Sequence, residues 1–337
     1  MAILITGGAG FVGSNLVDKL LLQKRAVVCI DNFDDFYAPK IKEHNISSAL
    51  SRKDFKLYRG DIREKRWLSE IFKSEKVETV IHLAAKTNPI RSVKEPESYI
   101  STNVWGTTSL LEVCKDYSVK VIFASSSSVY GNTLSIPFKE DDLSLKPVSP
   151  YGASKLAAEV LCQTYNKIYA IPILILRLFS VYGPRQRPDM AIHKFTKYIT
   201  EGREITVYGS GKAERDHTYI DDILKGIIRA IDKKFNFEII NLGDSNPIEL
   251  DYIITLLEES LNKRAKVKKQ KRLPKGDVKI TYADIEKAKK FLDYSPEVKI
   301  EEGIKRFVDW YIGIWGRVSK VIENQEERAY TISFKQE

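Results

Sequence analysis

A chain of 337 residues with 43% hydrophobic and 29% charged side chains has the make-up of about two packed lobes, which excludes disordered, collagenous and low-complexity classes. Apolar runs such as residues 26–30 and 171–176 fall far short of the roughly 20 residues of a membrane span, and Met1 leads straight into an apolar strand without a signal-peptide pattern; a soluble cytoplasmic protein with no membrane partner is expected. The net charge of +9 is matched by residues 263–290 alone, with 12 basic and 3 acidic side chains, and without interleaved aromatics or a recognition motif this is a solvated face or an anion site rather than a nucleic-acid surface.

The first elements are a strand at residues 2–6 and a helical pattern carried by Phe11, Leu16, Leu20 and Leu21. Further apolar runs at 26–30, 55–58, 79–83, 119–124 and 172–176 alternate with amphipathic stretches long enough for crossover helices. Near-continuous Val/Ile/Leu strands are buried on both faces, so the fold class is α/β, a doubly wound parallel sheet of the Rossmann type with a smaller C-terminal substrate-binding lobe. The expected divisions are 1–180 for the dinucleotide-binding domain, 181–315 for the lobe and 316–337 for a tail, with 239–242 a strand able to rejoin the main sheet. Cys29, Cys114 and Cys162 sit in apolar periodic segments without metal-ligand spacing and read as buried free thiols.

Gly7, Gly10 and Gly13 follow the first strand directly and open the first helix, with Phe11 and Val12 between them. Glycine there permits a tight turn and close backbone approach to a pyrophosphate at the helix N-terminus. Asp31, 18 residues after Gly13, is placed to accept from the ribose hydroxyls. It would repel a 2′-phosphate, and neighbouring Asn32 is no arginine to receive one, so NAD is the expected cofactor. Asp61 and Ile62 after the third strand, and Leu83, Ala84 and Ala85 after the fourth, complete the expected dinucleotide contacts.

Tyr151 and Lys155 are i, i+4 on one helix face. A nearby ammonium favours the phenolate, so a tyrosine base working near neutral pH is expected, with its pKa lowered by Lys155. The strand before it ends in Ser125, Ser126, Ser127 and Ser128, hydroxyls at the carboxyl edge of the sheet where open α/β folds bind ligands. His193 and His217 lack a partner at ligand spacing, and no metal is expected.

Together, GGAGFVG at 7–13, SSSSVYG at 125–131, SPYGASK at 149–155 and RDHTYIDDI at 215–223 resemble the extended short-chain dehydrogenase/reductases, in particular the nucleotide-sugar epimerase and dehydratase group, over roughly residues 2–313. The resemblance implies NAD at the glycine turn and Asp31, Tyr151 as base, Lys155 on the nicotinamide ribose, Ser126 as the third catalytic group and Asn103 near the cofactor. Dehydratases and decarboxylases of the group carry a carboxylate where this chain has Ser127-Ser128, which leaves epimerisation. Residues 177–195, with RQRPDMA at 185–191, are similar to UDP-glucuronate 4-epimerases, as is the stretch 31–37. That similarity implies Ser127, Ser128, Ser180 and Arg187 around a sugar carboxylate, Met190 beside it, Arg215 on the diphosphate and Asp277 on the ribose. It also implies a homodimer through helices near 95–117 and 151–168. UDP-glucose or UDP-N-acetylglucosamine 4-epimerisation and a non-catalytic NAD-binding regulator are the other readings.

Overall fold

The computed structural model describes residues 2–316, except 134 and 210, and residue 318. Six strands are laid down first: β1 (Ala2–Thr6), β2 (Val27–Asp31), β3 (Phe55–Arg59), β4 (Val77–His82), β5 (Lys120–Ser126) and β6 (Ile173–Leu178). After them come β7 (Ser180–Tyr182), β8 (Glu204–Tyr208), β9 (Glu214–Tyr219), β10 (Phe237–Leu242), β11 (Pro247–Glu249) and β12 (Lys266–Gln270). β10 lies beside β6 in a seven-stranded sheet of order β10-β6-β5-β4-β1-β2-β3, parallel throughout.

The chain winds outward from β1 to β3, then crosses back to start β4 on the other side of β1. This reversal opens a crevice at the carboxyl ends of β1 and β4, where open α/β sheets bind ligands. Alternation along the strands divides the core. Ile3, Ile5 and Cys29 join one apolar cluster with Leu16 and Leu20 of helix Phe11–Leu22 and Ile223 and Ile227 of helix Ile220–Asp232. Leu4, Val28 and Ile30 join the other, with Leu68, Leu110, Ala158 and Cys162 from three further helices. Each fully buried Leu or Ile contributes about 1.5–3 kcal/mol of transfer free energy, so the sheet is held from both faces.

Several strands extend past the apolar runs that signal them. β2 ends on Asp31, β5 on Ser126 and β6 on Leu178 after the buried Arg177. These polar residues stay in register because tertiary partners await them: Arg177 pairs with Glu159 at 2.8 Å, and the Ser125 hydroxyl donates to the same carboxylate at 2.5 Å. Both were invisible to hydrophobic periodicity.

β7, β9 and β11 form a small sheet of order β11-β9-β7, while β8 pairs with β12 in parallel. β12 carries Lys266, Lys268 and Lys269 and is exposed along its length. Lysines on a free strand edge discourage further pairing, and Arg264, Lys268 and Lys269 are met by Glu258, Glu204 and Asp251. The three cysteines are buried free thiols. The expected tail is described only at residues 316 and 318, and the remainder lies outside the described residues. Among the described residues no helix is long and apolar enough to cross a membrane.

Candidate active site

The glycine turn is shaped by close approach. Gly7 has φ +70, and a Cβ there would stand 2.8 Å from the Ala84 backbone, so the turn after β1 and the loop after β4 touch main chain to main chain. A Cβ on Gly13 would lie 2.7 Å from Gly8 Cα. Gly10 caps helix Phe11–Leu22 without a side chain, which leaves the N-terminal N–H groups facing the crevice as an anion site. Gly7, Gly10, Phe11, Val12, Gly13, Asp31, Asn32, Asp61, Ile62, Leu83, Ala84 and Ala85 all line one cleft.

Asp31 is 5% exposed and accepts from Ala9 N at 3.1 Å and Phe33 N at 2.8 Å. Lys42, also buried, approaches its Oδ1 at 3.5 Å. Burial alone would raise the Asp61 carboxyl, but hydrogen bonds from Arg63 and Asn32 hold it down at about 2. The cleft is also lined by Asp34, Phe36, Tyr37, Lys86 and Thr87. The Tyr37 hydroxyl, buried there, has no hydrogen-bond partner among the described residues. A backbone cradle closed to any Cβ, a helix N-terminus, a buried carboxylate at the end of β2 and an orphaned hydroxyl fit a dinucleotide. Lys42 and Tyr37 escaped sequence reasoning: Lys42 comes from a weakly amphipathic helix (Pro39–Ile46), and only folding turns it inward.

The strand and helix that carry the chemistry are tied together. Helix Pro150–Tyr169 is capped by the Ser149 side chain, which accepts from Gly152 N, with Pro150 at its first position. Ser126, at the end of β5, acts on the Tyr151 phenol to lower its pKa and accepts from Ser128 N at 3.1 Å. Ser127 is buried, and Ser128 lies 3.2 Å from the Ser126 hydroxyl. Asn103 spans the cleft wall: its amide donates to Lys86 O and to the Ser154 hydroxyl, both at 2.9 Å, and its carbonyl accepts from Lys86 N.

Tyr151 and Lys155 differ electrostatically from the sequence expectation. Burial raises the Tyr151 pKa, and what opposes it is the Ser126 hydrogen bond and the charge of Arg187, not Lys155. Lys155 Nζ instead donates to the Ala124 carbonyl at 2.8 Å, and burial lowers its pKa to about 8. The expected lowering of the tyrosine by Lys155 is thus corrected: i, i+4 spacing shares a face, but desolvation outweighs an ammonium whose proton is directed at the strand.

Arg187 lines the same cleft as the glycine turn. It pairs with Asp189 through Nε and Nη2 at 2.9 and 3.0 Å and donates from Nη1 to Thr87 Oγ1. Met190 precedes helix Ala191–Thr200 as its N-cap residue, and Ser180 opens β7 opposite His217. Arg215 and Asp277 meet at 2.7 Å. Adjacent Gly276, at φ +88, packs so closely that a Cβ would lie 3.1 Å from Pro89 O and 3.3 Å from Ser149 Cβ, which brings this loop to the mouth of the Tyr151 helix. His193 is enclosed by the rings of Phe307, Trp310, Tyr311 and Trp315, and the described residues contain no group of three metal-ligating side chains.

Comparison with known proteins follows the same lines. The GDP-mannose 4,6-dehydratase family matches residues 4–307. A UDP-glucuronate 4-epimerase from Thermodesulfobacterium geofontis is 43% identical over 91% of this chain and 95% of its own. The crystal structure of UDP-glucuronic acid 4-epimerase from Bacillus cereus, with UDP-glucuronic acid and NAD, is 40% identical over 92% of this chain and 98% of its own, TM-score 0.87. A UDP-glucose 4-epimerase from Thermotoga maritima with UDP-glucose is 32% identical over 93% and 99%, TM-score 0.85. With the glycine turn opening its first helix and the parallel sheet behind it, the chain belongs to the GDP-mannose 4,6-dehydratase family, among the extended short-chain dehydrogenase/reductase epimerases and dehydratases.

Proposed function

We propose that the protein is an NAD-dependent UDP-sugar 4-epimerase that interconverts UDP-glucuronate and UDP-galacturonate. The observation that carries the reaction is the buried Tyr151 phenol, on which the Ser126 hydroxyl and the charge of Arg187 both act to favour the phenolate, Arg187 itself lining the glycine-turn cleft. The substrate is supported by relatives named as UDP-glucuronate 4-epimerases at 40–43% identity, and by serines at 127 and 128 where an eliminating or decarboxylating site needs a carboxylate.

NAD, when bound, would supply a two-electron oxidant able to accept hydride from C4 and give it back. The residues of the chain manage the proton and the geometry. Tyr151 removes the C4 hydroxyl proton, Ser126 hydrogen-bonds the oxygen that becomes a carbonyl, and Lys155 holds the nicotinamide ribose. The 4-keto sugar then turns over to present its other face, where hydride would return to C4, and Tyr151 returns the proton to the C4 oxygen. Ser127, Ser128, Ser180 and Arg187 hold the C6 carboxylate out of line for loss of CO₂, with Met190 beside the sugar, while Arg215 and Asp277 take the diphosphate and ribose. Location in the cytoplasm and a homodimer complete the reading. The dimer is supported by Trp105, Val160 and Ile168, each more than half exposed on the expected helices.

The test is incubation of purified protein with UDP-glucuronate, UDP-glucose and UDP-N-acetylglucosamine, and chromatographic identification of products. UDP-galacturonate is expected, and Arg187→Ala should depress acidic-sugar turnover far more than neutral-sugar turnover. Preferred turnover of a neutral sugar, with Arg187→Ala affecting all three alike, would refute the acidic substrate.

A further inference from the structure

Asn88 adopts φ +78 and ψ 96, a left-handed conformation that costs energy even for asparagine and persists only where the surroundings impose it. Both ends of its side chain are engaged. Oδ1 accepts from Arg91 N at 3.0 Å, capping the short helix Pro89–Ser92, and Nδ2 donates to Asp189 Oδ2 at 3.0 Å. Its carbonyl accepts from the Tyr99 hydroxyl at 3.1 Å, and the Tyr99 ring sits edge-on to Tyr151 at 6.3 Å.

Asp189 belongs to the loop between β7 and helix Ala191–Thr200, 101 residues away in sequence. Its two oxygens take Arg187 Nε and Nη2, and Arg187 Nη1 reaches Thr87, the neighbour of Asn88. The two loops therefore clasp each other twice: Asn88 to Asp189, and Thr87 to Arg187. Burial alone would raise the Asp189 carboxyl, but Arg187 and Asn88 hold it below its ordinary value. Arg187 spends three of the five N–H groups of a guanidinium on these partners, which leaves one on each Nη for an anion in the cleft. A third bridge, Lys86 to Asp34 at 3.7 Å, ties the same loop to the one after β2.

We propose that Asn88 and Asp189 are positioning residues forming a latch that closes the loop after β4 onto the loop after β7, fixes Arg187 over the cleft and so retains the dinucleotide between turnovers. This rests on the reading of the cleft as the NAD site. A redox-neutral cycle needs no cofactor exchange, so a latch over the dinucleotide is compatible with turnover.

The test loads the full-length protein with radiolabelled NAD, chases with excess unlabelled NAD and follows label retained on gel filtration. Asn88→Asp keeps the helix-capping oxygen but sets a carboxylate against Asp189, and exchange should quicken about tenfold, the loss expected for one hydrogen bond to a charged group. Asn88→Gly relieves the left-handed strain and removes the link, so exchange should quicken while the melting temperature holds or rises. Asp189→Asn leaves one acceptor oxygen for the three donors Arg187 Nε, Arg187 Nη2 and Asn88 Nδ2, so exchange should quicken at least as much as in Asn88→Asp. Wild-type exchange rates in Asn88→Asp, Asn88→Gly and Asp189→Asn would overturn the latch. A wild-type protein that retains no label overturns the cofactor reading and the latch with it.

Discussion

Lys42 Nζ lies 3.5 Å from Asp31 Oδ1, and both side chains are more than nine-tenths buried at the wall of the cofactor cleft. A carboxylate in that position holds a lone unpaired charge unless a cation accompanies it, and here it also accepts two backbone N–H groups. Lys42→Met should therefore leave Asp31 uncompensated: the fraction of purified protein carrying NAD should fall, measured by extraction and absorbance. Asp31→Ala should lower it further because the ribose partner itself is gone. Equal NAD content in all three proteins would detach this pair from cofactor binding.

Tyr151→Phe removes the phenol with little change of shape at a site held by the Ser149 cap and the Tyr99 ring. Bound NAD should survive, while turnover should fall by about 10²–10⁴-fold, the contribution of a positioned acid–base group. Near-normal activity would make Tyr151 an ordinary helix residue.

The pH profile separates the two cations. The base must lose its proton to act, and burial raises its pKa in the free protein, with Arg187 and Ser126 pulling it down. The activity kcat/KM should rise with pH on its acidic limb. Arg187→Gln, which removes the positive charge, should move that limb to higher pH. An unmoved limb would mean that Arg187 does not act on Tyr151 electrostatically.

Arg177 and Glu159 form a buried pair joined by Ser125 and the Tyr130 hydroxyl. Arg177→Met strands a buried carboxylate, and unfolding by urea should show a loss of about 3–5 kcal/mol. A loss under about 1 kcal/mol, within the range of a surface ion pair, would show that the pair is effectively solvated.

Sequence alone determined what depends on short-range chemistry. The glycines at 7, 10 and 13, the alternation of apolar runs with amphipathic helices and the single helix face shared by Tyr151 and Lys155 are set by local backbone geometry and spacing, and each was legible before any packing was known. Tertiary structure decided the rest, because charge and burial depend on what distant segments bring to one place. Lys155 turns to the Ala124 carbonyl, so the cation felt by Tyr151 is Arg187, which is 36 positions later in the chain and held by Asp189 and Thr87. Lys42 reaches Asp31 only because helix Pro39–Ile46 folds back against helix Phe11–Leu22. Desolvation belongs to the assembled core, and no spacing rule along the chain encodes it.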